Sequence, residues 1–198
     1  MKKLRLRNII IFILVFVGLS GIILGIDLTL NKPTTLNKIV ATKLYKEPAN
    51  KAFTDQNFYN CVVDAYNEEN YTNVAYTENL TDEQLQSITR LYCVNEYIYI
   101  LNGIEKLTSL TKLDLTNNYL SSIDLSSNTS LTKLVLYGNN LSSIDLSKNT
   151  ALTELYLGWN NLSSIDVSEN PALTDLKVAG NNLTEIDLSK NTKLTDLD

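Results

Sequence analysis

Leu110-Thr-Lys-Leu113-Asp-Leu115-Thr-Asn-Asn118 is followed by Leu131-Thr-Lys-Leu134-Val-Leu136-Tyr-Gly-Asn139, by Leu152-Thr-Glu-Leu155-Tyr-Leu157-Gly-Trp-Asn160, and by Leu173-Thr-Asp-Leu176-Lys-Val178-Ala-Gly-Asn181. A fifth copy opens at Leu194, and the step is 21 residues each time. A fixed period in the twenties carrying LxxLxLxxN marks a supersecondary unit that hides its leucines against copies of itself. Such a stack offers a long ribbed surface for grasping another molecule and no ready-made reaction centre.

Each regular rung has six apolar positions, which in the first are Leu110, Leu113, Leu115, Leu120, Ile123 and Leu125. Burying six side chains gains less than ordering a whole rung costs, so a lone rung cannot fold. Stacking adds strand-to-strand hydrogen bonds and covers both faces of each layer. The expected architecture is a leucine-rich-repeat solenoid of the α/β type, with parallel strands on the concave face and a helical N-terminal cap. A transmembrane or signal helix is expected before the cap. The organisation reads as residues 1–26 signal-anchor or signal segment, 27–52 juxtamembrane linker, 53–87 cap and 88–198 repeats.

The first segment holds Lys2, Lys3, Arg5 and Arg7 and no acid, a net charge of +4. The whole chain carries −5, so residues 27–198 carry −9. From Ile9 to Ile26 the chain is continuously apolar or small, which meets the lower length limit for a bilayer-spanning helix. Cations on the N-terminal flank favour keeping that end in the cytoplasm and sending the body outside. Two readings stand: an uncleaved single-pass anchor, or a signal cut after Gly18-Leu19-Ser20 that releases a secreted body. Residues 27–52 contain Pro33, Pro48, five lysines and two acids. They read as a solvated tether with one short helical piece near Leu36–Leu44, or as a basic strip touching anionic headgroups.

In the cap, Asp55 is placed to N-cap a helix over 55–66 whose apolar face is Phe58, Cys61, Val62 and Ala65. Thr81 and Gln84 form a capping box for a second short helix. Ile88, Leu91 and Cys93 begin an irregular rung in which Cys93 takes an inward leucine's place, and Gly103-Ile-Glu-Lys-Leu107 closes it. Cys61 and Cys93 are the only cysteines. Two readings stand in an exported protein: a disulfide that staples cap to stack, or two buried thiols acting as small apolar residues. The chain stops at Leu194-Thr-Asp-Leu-Asp198, which reads as a truncated frame or as an edge covered by a partner.

Phe53-Thr-Asp-Gln-Asn-Phe58, Leu80-Thr-Asp-Glu-Gln-Leu85 through Ile88-Thr-Arg-Leu91, and Gly103-Ile-Glu-Lys-Leu-Thr-Ser-Leu110 lead into repeats of the form LTxLxLxxNNLSSIDLSxNT. In these stretches, over residues 53–198, the chain resembles the bacterial internalin-type leucine-rich-repeat surface proteins of the 21-residue subtype. That resemblance implies a surface-displayed binder whose strands line a concave face contacting host or neighbouring-cell ligands. The chain lacks a wall-sorting motif and an immunoglobulin-like domain after the repeats, so the N-terminal segment is the expected attachment.

Positions dictated by packing recur from rung to rung, so positions that differ are candidates for recognition. The return segment Ser-Ser-Ile-Asp barely changes. The outward strand positions do change: Lys112, Lys133, Glu154, Asp175; then Asp114, Val135, Tyr156, Lys177; then Thr116, Tyr137, Gly158, Ala179. The candidate ligand-binding residues are Tyr119, Tyr137, Tyr156 and Trp159, with Lys133, Glu154 and Lys177, because exposed Tyr and Trp anchor interfaces. The opposing reading is a set of partly covered aromatics that stiffen the strands. Gly138, Gly158 and Gly180 either leave room for a ligand or serve turn geometry. Asn118, Asn139, Asn160 and Asn181 form a structural ladder bonding the turn that leaves each strand. Asn128, Asn149, Asn170 and Asn191 do the same on the opposite turn.

Asp124, Asp145, Asp166 and Asp187 stack as like charges, which points either to a bound cation or to carboxylates accepting from the following Ser-x-Asn turn. The second reading is preferred, and no metal or cofactor is expected. The run Asp64-x-x-Asn67-Glu-Glu69 lacks the glycine of a calcium loop. With no histidine in the chain and serines confined to convex turns, no nucleophile and base come together, so no enzyme is expected. The acidic body lacks a basic stripe for nucleic acid. The partner class is a protein or glycan at the cell surface, with the membrane contacted through residues 9–26. A passive spacer without a specific ligand is the alternative.

Overall fold

A computed structural model describes residues 51–198 and, separately, two short strands, β1 (Phe16–Val17) and β2 (Ile22–Ile23), paired antiparallel. The chain divides into two compact units, Met1–Glu47 and Pro48–Asp198. Apart from those four extended residues, the apolar stretch 9–26 expected as a helix lies outside the described residues. So does the linker as far as residue 50, including the helical piece near 36–44. Among the described residues, no helix is long and apolar enough to cross a membrane.

Helix α1 spans Gln56–Asn70. Asp55 Oδ1 starts it by accepting from the amides of Asn57 and Phe58, at 3.0 and 3.1 Å. Phe58, Tyr59, Cys61, Val62 and Val63 are buried against the stack. The helix continues four residues past its expected end at 66. Residues 67–70 are polar and show no apolar periodicity, but Asn67 gives the helix end a tertiary anchor. Its side chain accepts from the Val74 amide at 2.8 Å and donates to the Val74 carbonyl at 3.0 Å. Helix α2 (Asp82–Ser87) opens with a reciprocal capping box between Thr81 and Gln84.

Six parallel strands follow: β3 (Arg90–Tyr92), β4 (Lys112–Asp114), β5 (Lys133–Val135), β6 (Glu154–Tyr156), β7 (Asp175–Lys177) and β8 (Asp196–Leu197), hydrogen-bonded in chain order. Leu91, Leu113, Leu134, Leu155, Leu176 and Leu197 stand in one register row. The first five are at most 1% exposed, so the row is the spine of the core. Return segments are turns and extended chain, with one 3-10 turn at Ile104–Lys106. The α/β expectation therefore holds only for cap plus sheet. On the return side, Asp124 and its equivalents bind the amide two residues on, an Asx turn that competes with helix. Ile123, Ile144 and Ile165 are half-buried at the margin of the core.

Side-chain ladders join the rungs. Thr111, Thr132, Thr153, Thr174 and Thr195 each donate a hydroxyl to the carbonyl of the threonine one rung earlier, at 3.0–3.1 Å. That carbonyl also receives two backbone amides, as Thr111 O does from Thr132 and Lys133. At the first rung there is no earlier threonine, and Glu69 of α1 takes its place. Its carboxylate accepts from the Thr89 amide, the Thr89 hydroxyl and the Arg90 amide at 2.9–3.0 Å. At the helix's other end, Asp55 Oδ2 accepts from the amides of Tyr99 and Ile100. The two acids thus supply acceptors at both ends of the exposed first rung and blunt its edge. A Cys61–Cys93 disulfide, with Cα atoms 5.8 Å apart, ties the middle of α1 to the same rung. Gly103, at φ +101°, lets Phe53 lie against the backbone where a Cβ would sit 2.6 Å from the ring.

Replacing Glu69 with Gln puts donors opposite donors, and urea denaturation is expected to show a loss of about 1–3 kcal/mol. Replacing both cysteines with serine is expected to cost about 3–4 kcal/mol by the loop-closure argument. Calorimetry with and without reductant checks this, since only the parent should respond to reduction.

Candidate functional site

The outward strand positions form parallel columns on the concave face, because a three-residue strand turns its middle leucine inward and its two ends outward. Lys133 Nζ reaches Glu154 Oε2 at 2.5 Å and lies 5.0 Å from the centre of the Tyr156 ring. The Tyr156 hydroxyl donates to Asp175 Oδ2 at 2.6 Å and also lies 3.1 Å from Glu154 Oε2. Lys177 contacts Asp175 and Asp196 at 3.7 and 2.5 Å. Donation to Asp175 raises the Tyr156 pKa, and burial with the Glu154 contact pushes the same way. Lys133 holds the Glu154 carboxyl below its ordinary value, and Asp196 raises the Lys177 ammonium. Tyr156 is thus the half-buried hub of a charged network, its hydroxyl already engaged.

The other aromatics separate into two places. Tyr119 stacks on Tyr99 with ring centres 4.9 Å apart at 15°, and meets Tyr97 at 6.1 Å. All three are exposed on the flank of the first two rungs. Tyr97 and Tyr99 escaped the sequence reading because rung one lacks the regular template. The alternation in Tyr97-Ile-Tyr99 was the available signal. Tyr137 and Trp159 stand on the strand exits, 41% and 63% exposed. Their rings occupy the space above the glycines of the next rung. A Cβ on Gly158 would lie 3.0 Å from Tyr137, and one on Gly180 would lie 3.1 Å from Trp159. Gly158 and Gly180 therefore make room for this chain's own rings.

Trp159 also bears backbone strain. Asn95, Asn117, Gly138, Trp159 and Gly180 hold one turn position rung after rung, with φ of 62°, 54°, 67°, 55° and 70°. Asn and Gly tolerate this left-handed conformation, whereas for a bulky residue it is an outlier costing on the order of 1–3 kcal/mol. A strained, largely exposed tryptophan stands where the repeat otherwise places Asn or Gly. Turn geometry does not call for it, and its indole lies over Gly180 of the next rung while staying largely exposed.

The asparagines stand in two columns, all buried except the partly buried Asn181. Asn139 Nδ2 donates to the carbonyls of Leu115 and Leu136 at 2.9 and 3.1 Å, and its Oδ1 accepts from the Leu120 amide at 3.1 Å. Asn118, Asn160 and Asn181 repeat the pattern. Asn128, Asn149, Asn170 and Asn191 each donate to two carbonyls, while their buried Oδ1 atoms have no hydrogen-bond partner among the described residues.

On the convex side, Asp124, Asp145, Asp166 and Asp187 each accept from the serine amide two residues on, at 2.8–2.9 Å. The Ser126 hydroxyl and then its amide lower the Asp124 pKa. For the other three, the serine amide leads and the hydroxyl follows. Asp64 accepts the Tyr76 hydroxyl at 2.7 Å, and with Glu69 committed to β3 the acidic run of α1 is not a calcium loop. Among the described residues, no group of three His, Cys, Asp or Glu side chains could hold a metal ion.

A parallel sheet of in-register LxL strands, an asparagine ladder behind it and a variable ribbed face before it define a leucine-rich-repeat solenoid. The Leucine Rich Repeat family model matches residues 109–129. Internalin J of Listeria monocytogenes serotype 4b (strain F2365) is 46% identical over 79 residues, covering 40% of this chain and 8% of that protein. A solved functional domain of InlJ from Listeria monocytogenes, described as including a cysteine ladder, superposes with a TM-score of 0.70 at 44% identity. The match covers 77% of this chain and 32% of that one. A crystal structure of the internalin InlF from Listeria monocytogenes 4b F2365 gives 0.66 at 31% identity, covering 78% of this chain and 45% of that one. The chain therefore spans less than half of these relatives. Its repeat region is similar to the leucine-rich-repeat regions of these internalins.

The four convex aspartates have folded pKa values below their unfolded ones. Their stabilisation is present above the ordinary carboxylate range and is lost as pH falls through the lower folded values, in the region below about 4. The melting temperature should drop across that window. Asn at all four positions should flatten the drop, and millimolar calcium at neutral pH should leave the melting temperature unchanged.

Proposed function

We propose that this chain is an exported, membrane-anchored binding module that recognises a partner at the cell surface through the concave face of its repeats. The observation that carries the reading is Trp159. It spends backbone energy to display an indole at a turn that Asn or Gly fills without strain, and tryptophans of this kind dominate interface energetics. The apolar run 9–26 after a cationic N-terminus supports export, with residues after 26 outside; secretion after cleavage is the alternative. A protein partner suits the face better than an anionic glycan, because Glu154, Asp175 and Asp196 occupy half of its first column.

Trp159→Gly separates display from structure. The melting temperature should stay level or rise, since the strained turn relaxes. Binding of full-length chain on cells to an array of surface proteins and polysaccharides should fall by about 2 kcal/mol, roughly thirtyfold in Kd. Tyr137→Ala should act in the same direction. Unchanged binding by the double variant would remove the concave face from the account.

A further inference from the structure

The concave face carries an order that neither strand pairing nor burial demands. From β3 to β8, its first column reads Arg90, Lys112, Lys133, Glu154, Asp175, Asp196, three cations and then three anions. In the second column the anion comes first, Asp114 on β4, and the cation later, Lys177 on β7. Between them lie Val135 and Tyr156. Over β4 to β7 the pattern is antisymmetric about a line between β5 and β6; outside it Arg90 mirrors Asp196, while Asp198 in the second column has Tyr92 at its mirror position. Every charge on the four regular rungs has its opposite at the mirror position.

We propose that a second copy of this chain docks on this face, related by a two-fold axis parallel to the strands and passing between β5 and β6. This rests on the concave face being the binding surface. Such an axis reverses the stacking order and keeps the strand direction, so β4 faces β7, β5 faces β6, and each column faces itself. Lys112 of one copy then meets Asp175 of the other, and Asp114 meets Lys177. At the centre the Lys133–Glu154 pair, 2.5 Å apart within a chain, meets its own copy reversed, closing a ring of four alternating charges. The flanking strands bring Arg90 opposite Asp196. A face that is its own complement is what a closed two-fold interface requires.

The exposed aromatic residues flank the same axis. In the third column Tyr137 on rung β5 faces Gly158 on rung β6, and in the fourth Trp159 faces Gly138. Those glycines are already covered within each chain, Gly158 by Tyr137 and Gly138 by Asn117, so the rings add contact area beside the axis rather than filling a partner's gap. Six strands about 4.8 Å apart span roughly 24 Å, a short arc along which two faces can meet.

Sedimentation velocity on the full-length chain in mild detergent tests this. A dimer is expected at low salt, weakening by about tenfold or more at high salt as the facing charges are screened. Arg90→Asp alone and Asp196→Arg alone should each weaken it by about tenfold, because each sets like charges opposite each other twice. An equimolar mixture of the two variants should recover the dimer, since one contact keeps Arg90 against Asp196 and the other pairs the two substituted residues with signs exchanged. Trp159→Gly should weaken association without lowering the melting temperature. A monomer at every accessible concentration overturns the proposal, as does a dimer indifferent to Arg90→Asp. If the monomer still shows Trp159-dependent binding on the surface array, the concave face stands as a site and only the second copy falls. If that dependence is also absent, both readings fall.

Discussion

Rung-to-rung hydrogen bonding is the constraint on which the molecule depends. A three-residue strand pairs few of its neighbours' backbone groups, and the turns on either side leave amides and carbonyls inside the stack. Burying such groups unpaired costs far more than each bond gains. Thr132 reaches the Thr111 carbonyl and Asn139 reaches Leu115 and Leu136 only if consecutive rungs have equal length and start in register. The 21-residue period is thus a requirement of polar satisfaction as much as of leucine packing. The first rung tolerates its 22-residue step to Leu110 because the cap, rather than another rung, covers its far side.

The cap works by imitation. Glu69 presents its carboxylate to the three donors that a preceding threonine carbonyl and its surroundings would otherwise receive. Asp55 divides its two oxygens between starting α1 and binding the backbone at residues 99 and 100. A helix, whose own backbone donors and acceptors are spent internally, can end a parallel sheet only through side chains of this kind.

Much of this was legible beforehand. The Leu113 row, the strand positions and the repeated asparagines follow from periodicity alone, and the Asp55 and Thr81 caps follow from residue type and spacing. The extension of α1 to Asn70 was not legible, because its reason lies in tertiary partners of Asn67 and Glu69. The α/β class implied helix on the return side, where the Asp-Leu-Ser turns instead bind the backbone amide two residues on. In the candidate site, the columns could be written down in advance, but Tyr156 as the engaged hub and Trp159 as a strained residue required geometry. A φ value leaves no trace in a single residue's identity. Only alignment of Asn117, Gly138, Trp159 and Gly180 hints that tryptophan is out of place there.

Equal rung length has a consequence for how such a chain can change over generations. Duplicating or deleting one complete coil preserves every ladder and leaves the cap untouched, so length is nearly free to drift. The arrangement of charges on the ribbed face is not free in that way. One coil gained or lost on either side of Lys133 and Glu154 shifts the midpoint of the pattern, and a lineage could acquire a new preference in a single recombination event while its melting behaviour hardly moved.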